Sequence, residues 1–170
     1  MTDETNSDIE IDETLPETVK KFLRKGYSLE EIRLDANGKW THEGLDFENP
    51  KVISLFSRNV GRTKGGTWVL EIGRFTYPIT VEDTGFFVER IELGKSPPRL
   101  HLSDETTEEL DLSTLDYKPE GRLYCTIKVG DFRARFKRPA YYALAEHFVE
   151  DDDTIYVELD DQRYALADMD

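Results

Sequence analysis

The chain has 170 residues, 38% hydrophobic and 11% aromatic, which suits one globular domain or two small packed halves. Its single cysteine, Cys125, excludes an intramolecular disulfide and a multi-cysteine metal site, and no run approaches the ~20 apolar residues of a membrane helix. The net charge of −14 is gathered at the ends, with six acids and no base in residues 1–14 and ten acids and one base in residues 146–170. The middle, with twenty acids against twenty-one bases, is close to neutral and argues against nucleic-acid binding, which requires net neutralisation of phosphates. The first residues have neither the basic start nor the apolar run of a signal peptide, so a cytoplasmic protein without membrane contact is expected.

Residues 1–14 read as an acidic disordered tail. Residues 15–28 hold a short amphipathic helix, Glu17 to Lys25, opened by Pro16, closed by Gly26, and with Val19, Phe22 and Leu23 on one side. Leu15 can pack back as a staple, and Ser28-Leu29-Glu30-Glu31 has the form of a capping box. The first α+β unit spans residues 29–94. Ile32 to Leu34 alternates, Asn37-Gly38 is a two-residue hairpin signal, and Trp40 begins the return strand. Asn49-Pro50 then starts a helix carrying Val52, Leu55, Phe56 and Val60 at helical spacing. Gly61 to Gly66 breaks it, before strands at Thr67–Ile72, Phe75–Val81 and Phe86–Leu93.

Residues 95–118 form a linking hairpin in which Leu100-His-Leu102 and Leu110-Asp-Leu112 flank Ser103–Glu109. Residues 119–170 then repeat the earlier order. A hairpin of Leu123–Val129 and Phe132–Lys137 leads to a helix opened by Arg138-Pro139, with Tyr141, Leu144, Ala145, Phe148 and Val149 inward. After the polar run Glu150–Asp153, Thr154–Leu159 and Tyr164–Ala167 make a last hairpin. Aligning Pro50 with Pro139 pairs Leu55 with Leu144, Val60 with Val149 and, after a two-residue gap, Tyr77 with Tyr164. The expected fold class is α+β: two hairpin–helix–hairpin structural repeats, mostly antiparallel, each covering the sheet face the other leaves bare.

Gly38-Lys-Trp40, Gly44, Leu55-Phe56-Ser57, Val81-Glu82-Asp83 with Phe86, and Ala134-Arg-Phe-Lys-Arg-Pro-Ala-Tyr-Tyr-Ala-Leu144 together resemble the bacterial family called domain of unknown function 1285. The resemblance runs from about Ile32 to the C-terminus. It implies a two-repeat α+β fold and a role in ligand recognition or signalling, since no enzymatic activity is associated with the family. The chain departs from the family in having Leu29-Glu-Glu-Ile32 where a cysteine–glycine run is usual. It also has Asp46-Phe-Glu-Asn49 where an arginine is usual.

Little in the chain points to catalysis. There is no Gly-x-Ser-x-Gly elbow, and Cys125 falls mid-strand, where a small buried hydrophobe is expected rather than a nucleophile. His42, His101 and His147 lie in different elements. His147 and Glu150 stand one helical turn apart, but Phe148 and Val149 pack between them, so no metal site is expected. Gly61-Arg-Thr-Lys-Gly-Gly66 lacks the ending of a phosphate loop and joins helix to strand, the reverse of the order that aims amides at phosphate. Asp83 is expected to accept backbone N–H bonds in an Asx-turn with Thr84-Gly85, with a ligand contact as the alternative.

The basic strand Phe132-Arg-Ala-Arg-Phe-Lys-Arg138 carries the strongest signal. Alternation turns Phe132, Ala134 and Phe136 inward and sets Arg133, Arg135 and Lys137 in a positive stripe. Pairing with the acidic C-terminal segment would satisfy the stripe; an anionic ligand is the alternative, since arginine forks suit carboxylates and phosphates. Arg138 adds a cation at the start of the second helix. Trp40, Trp68, Phe75 and Tyr141 read first as core, and at a seam between halves they could also line an apolar pocket.

These readings converge on a non-enzymatic small-ligand-binding or sensory module without cofactor or metal. Its site is expected between the halves, built from Arg133, Arg135, Arg138, Trp40, Tyr141 and Asp83. A protein-interaction adaptor docking through the acidic termini, and a hydrolase using scattered carboxylates with His42, are the alternatives.

Overall fold

Three successive residues, Phe86, Phe87 and Val88, are all buried. Side chains alternate across a strand, so the strand that bears them must be covered on both faces. The fold is built around that requirement.

The computed structural model describes residues 11–26 and 29–168. Helix α1 (Glu17–Arg24) precedes strands β1 (Ile32–Leu34), β2 (Trp40–His42) and β3 (Leu45–Asp46). Helix α2 (Pro50–Arg58) is followed by β4 (Val60–Arg62), β5 (Trp68–Ile72), β6 (Phe75–Pro78) and β7 (Thr80–Val81). The doubly covered strand is β8 (Phe86–Glu92), and β9 (Arg99–Leu102) and β10 (Thr107–Glu109) come next. After a 3-10 turn, Leu112–Thr114, the chain forms β11 (Asp116–Lys118), β12 (Arg122–Ile127), β13 (Phe132–Phe136) and helix α3 (Arg138–Ala145). It closes with β14 (Phe148–Asp151), β15 (Thr154–Leu159), β16 (Gln162–Ala165) and β17 (Ala167–Asp168).

The class is α+β with mostly antiparallel pairing. A seven-stranded sheet has the order β10-β9-β8-β13-β12-β11-β17, a four-stranded sheet the order β3-β2-β1-β7, and β4-β5-β6 and β14-β15-β16 are three-stranded meanders. β8 runs parallel to β13, with Phe86, Phe87 and Val88 opposite Ala134, Arg135 and Phe136. On one face Phe86 and Val88 join the larger core with Leu100, Leu123, Cys125, Phe136 and the Ala140 and Leu144 of α3. On the other, Phe87 enters a smaller core with Leu34, Trp40 and Leu70. Full burial of such a side chain contributes roughly 1.5–3 kcal/mol, so β8 anchors both cores at once. The outer strands β7 and β17 run parallel to β1 and β11 respectively, giving the two sheets matching orders at one end. No helix among the described residues is long and apolar enough to cross a membrane.

Several expected boundaries shift. Asn49 caps α2 as expected, its side chain accepting from the Lys51 amide. Val60, however, leaves the helix to pair with Leu70, and Phe148 and Val149 leave α3 to pair with Val157 and Tyr156. Each helix thus leads into a meander of three strands, not a hairpin of two. The carbonyls of Asn59 and His147 find partners in the Glu71 and Glu158 amides, which a continuing helix would have withheld. The Asn37-Gly38 turn is a three-residue loop: Asp35 pairs with Lys39, and Gly38 takes φ +86°. A Cβ at Gly38 would lie 2.9 Å from Lys137 Cε, so that glycine also admits a close approach. The hairpin expected within residues 95–118 forms between β9 and β10, with Arg99 opposite Glu109, but its second arm is Thr107–Glu109, and Leu110 to Leu112, expected in that arm, lead into the 3-10 turn.

In α1 the buried residue is Lys20, whose Nζ meets Glu17 at 2.7 Å, while Phe22 is turned outward and Leu15 is buried as expected. The capping box begins at Ser28, outside the described residues, and Leu29 to Glu31 lead directly into β1. Residues 1–10 of the acidic tail also lie outside the described residues. Residues 11–14 are held: the Asp12 carboxylate accepts from the hydroxyls of Thr14, Thr63 and Thr67, and those bonds, Thr14 first, pull its pKa far down. The glycine-rich turn after β4 therefore carries the chain's own carboxylate.

At the tip of the β12–β13 hairpin, Lys128, Val129 and Gly130 all have positive φ, and Val129 is fully exposed. A β-branched residue in the left-handed region is strained without compensation from packing. Val129→Asn should raise stability by about 1 kcal/mol, read as a higher urea midpoint with an unchanged slope; an unchanged or lower midpoint would contradict the strain.

Candidate functional site

The β7–β8 connection, Glu82 to Gly85, meets the polar face of β12 and β13. The chain bends at Glu82 and Asp83, and the two carboxylates reach to different partners. Glu82 reaches back to the first half, pairing with Arg33 at 3.5 Å and accepting from the Ala36 amide at 3.3 Å. Asp83 reaches forward to the second. Its Oδ1 accepts from Arg133 Nη2 at 3.0 Å, and its Oδ2 accepts from Tyr124 Oη at 2.5 Å. Arg135 Nη1 lies 3.7 Å from Asp83 Oδ2 and donates to the Ala36 carbonyl at 2.8 Å. The local turn bond falls instead to the neighbour. Buried Thr84 accepts from the Phe86 amide at 3.4 Å and donates to the Arg133 carbonyl, so the expected Asx-turn at Asp83 is replaced by a threonine turn.

Tyr124 completes the cluster. Its ring is buried, with the Arg133 guanidinium 4.1 Å from its centroid. Burial first, and then the hydrogen bond to Asp83, push its ionisation upward, so the phenol remains a donor. Sequence reasoning missed this residue. Leu123, Cys125 and Ile127 are the inward set of β12, which leaves Tyr124 on the stripe face, opposite Arg135 in the register. A large aromatic on the polar side of a strand beside two arginines was the available signal.

The positive stripe forms as the alternation predicts, with Ala134 and Phe136 in the core. Its partners differ from expectation. Arg133 and Arg135 meet Asp83, and Lys137 Nζ meets Glu89 at 2.9 Å, whereas the C-terminal acids Asp151 and Glu158 pair with Arg163 at 3.1 and 3.2 Å. Those acids sit on the last meander, and the single base of that segment takes them up there.

Two clefts adjoin the cluster. The larger, about 720 Å³, opens where the β1–β2 loop, the β11–β12 turn and the start of α3 meet. Arg135, Lys137, Arg138, Tyr141, Tyr142 and Phe87 line it, together with Ala36, Asn37, Glu120 and Gly121 at its rim. The smaller, about 400 Å³, includes Asp83 and Arg133 with Arg62 and Trp68. Arg62 lies over the Trp68 and Phe132 rings at 5.2 and 5.1 Å and donates to the Asp131 carbonyl.

Of the six residues expected at one site, Arg135, Arg138 and Tyr141 share the larger cleft, and Asp83 and Arg133 line the smaller one beside it. Trp40 belongs to neither: it is buried in the smaller core, donating from Nε1 to Ser57 at 3.1 Å and packed edge-on against Phe56. Phe75, read first as core, is 80% exposed at the β5–β6 turn. The His147–Glu150 spacing is lost, because Glu150 is on β14 and not on a helix. His42 and His101 lie against Glu30 and Glu92 in separate parts of the fold.

No protein-family model matches the chain, and no curated protein matches it. Solved structures do. A DUF1285 family protein from Silicibacter pomeroyi DSS-3 superposes with a TM-score of 0.61 at 16% identity, over 81% of this chain and 79% of that one. A DUF1285 family protein from Shewanella baltica OS155 gives 0.53 at 17% identity, over 69% and 92%. At such identities the likeness is one of fold: the chain has a DUF1285-like architecture.

Cys125 is buried in the larger core, and burial pushes its thiol up to about 12. It should therefore be silent to a thiol-reactive dye at pH 8 in the folded protein and react with one equivalent in 8 M urea; rapid reaction of the folded protein would contradict this placement.

Proposed function

We propose that the protein is a binding module, sensory and not catalytic, that holds a small anionic ligand in the 720 Å³ cleft between the β1–β2 loop and the start of α3. The observation that carries this reading is the disposition of Arg138. It is exposed on the cleft and forms no salt bridge with any described residue, whereas Arg135 and Lys137 behind it are engaged by Asp83, the Ala36 carbonyl and Glu89. An exposed planar guanidinium on a cleft that also presents Tyr141 and Tyr142 suits a ligand with an acidic head. The cleft volume falls in the ordinary range for small-molecule sites. The seam position supports a sensory role, because a ligand there touches elements from both halves of the chain.

Arg138 is also the clean residue to test. Arg135 ties the β1–β2 loop to β13, so its removal would change the fold as well as the cleft. Native mass spectrometry of freshly purified protein should show a stoichiometric mass excess that disappears on denaturation and falls in occupancy by at least tenfold in Arg138→Ala. A clean protein mass, with no thermal stabilisation by any of a panel of carboxylates and phosphates, would contradict the proposal.

A further inference from the structure

The segment before α1 is fastened to the rest of the chain as a bound peptide would be. Ile11 to Leu15 form neither helix nor strand. Two side chains make the polar contacts to the turn after β4. Asp12 Oδ2 accepts from the hydroxyls of Thr63 and Thr67, the latter at 2.7 Å, and Thr14 Oγ1 accepts from the Gly65 amide at 2.8 Å. Glu13, between them, turns the other way, to Lys20 and Arg24 of α1 at 3.5 and 3.0 Å. Leu15, next in line, is buried.

The receiving turn is shaped for this pair. A Cβ at Gly65 would run into the Asp12 carboxylate, and Gly65 lacks the positive φ that would by itself call for glycine. Its missing side chain therefore serves the contact. Thr63 Oγ1 accepts from the Thr67 amide at 3.1 Å, which leaves its one proton for Asp12. Asp12 forms no salt bridge with any described residue, so hydroxyls at hydrogen-bond distance, and not a cation, select it. A cation would attract any acid of the tail; fixed hydroxyls and a bare glycine accept one carboxylate at one position. We infer that this turn is a docking site for an acidic peptide of the form Asp-x-Thr followed by an apolar residue, occupied in this chain by its own residues 12–15. The partner it fits is a protein segment of that chemistry. The tether gives the resident segment an effective concentration on the order of millimolar, so a partner segment gains the site only when the resident one is released or outnumbered. The site stands apart from the larger cleft, while Arg62 and Trp68, which flank the turn, line the smaller one.

The full chain, ¹⁵N-labelled, tests this with a capped peptide of residues 11–16 as the probe. In the variant D12A/T14A/L15A the resident segment loses its contacts, and the Gly65 and Thr67 amide signals should move while the remaining spectrum stays that of the folded protein. The peptide should then bind saturably and return both signals toward their wild-type positions. The wild-type chain, whose site is filled, should bind it about tenfold or more weakly. A peptide with alanine at its Asp and Thr positions should leave every signal in place. Gly65→Ala keeps the tail intact but fills the space of the carboxylate. It should shift the Thr14 amide signal and bind no peptide. No binding of the peptide to the folded triple variant would overturn the docking site, as would equal binding to the wild-type chain. An unmoved Thr14 signal in Gly65→Ala would overturn the role given to the glycine and, with it, the site.

Discussion

Asp83 carries a carboxylate that is only 18% exposed, between two arginines and a tyrosine on a neighbouring pair of strands. A charge so placed is costly unless its partners are fixed, and removing one member of such a group typically costs several kcal/mol because the others are left uncompensated. The cluster therefore sets where the β7–β8 connection lies against β12 and β13. Arg135 extends the same constraint to the β1–β2 loop through the Ala36 carbonyl, and Glu82 grips the amide of that residue from the other side. Loop, connection and strand are held as one polar seam between the sheets.

The two hydrophobic cores depend on that seam for their mutual position. β8 follows Asp83 by three residues and sends Phe87 into the smaller core, Phe86 and Val88 into the larger. Its parallel pairing with β13 places Phe87 opposite Arg135, so the apolar and ionic links between the sheets occur at the same level. The larger cleft is what the arrangement leaves open. Arg135 ties the β1–β2 loop to β13 through the Ala36 carbonyl, and the absence of a Cβ at Gly38 makes room for Lys137.

Much of this was legible in the residues. The alternation of Phe132 to Lys137 gave the stripe and its inward face, Asn49-Pro50 gave the start of α2, and strand signals interrupted by two proline-started helices gave the α+β class. What stayed hidden has consistent physical causes. Val60, Phe148 and Val149 fit a helical stripe equally well, and only the partner strands that accept their backbones decide against it. The stripe's counter-ions were assigned to the densest acidic segment, but proximity in space is set by topology, and the deciding acid was a single Asp83 between two strands. Trp40 leaves the expected site and Tyr124 joins the cluster for the same reason. An indole on a short strand can be wholly enclosed when a helix such as α2 lies over it, while a tyrosine opposite an arginine finds both its ring and its hydroxyl satisfied on the polar face.

The central claim, that Asp83 organises the seam, is tested most directly by a double-mutant cycle between Asp83→Ala and Arg133→Ala, with stability measured by urea denaturation. The account predicts that each single change is destabilising and that the double change costs less than their sum, with a coupling of about 1–2 kcal/mol for a hydrogen-bonded ion pair of this burial. Additive effects, within about 0.5 kcal/mol, would mean that the carboxylate and the arginine act independently and that the seam is held by packing alone.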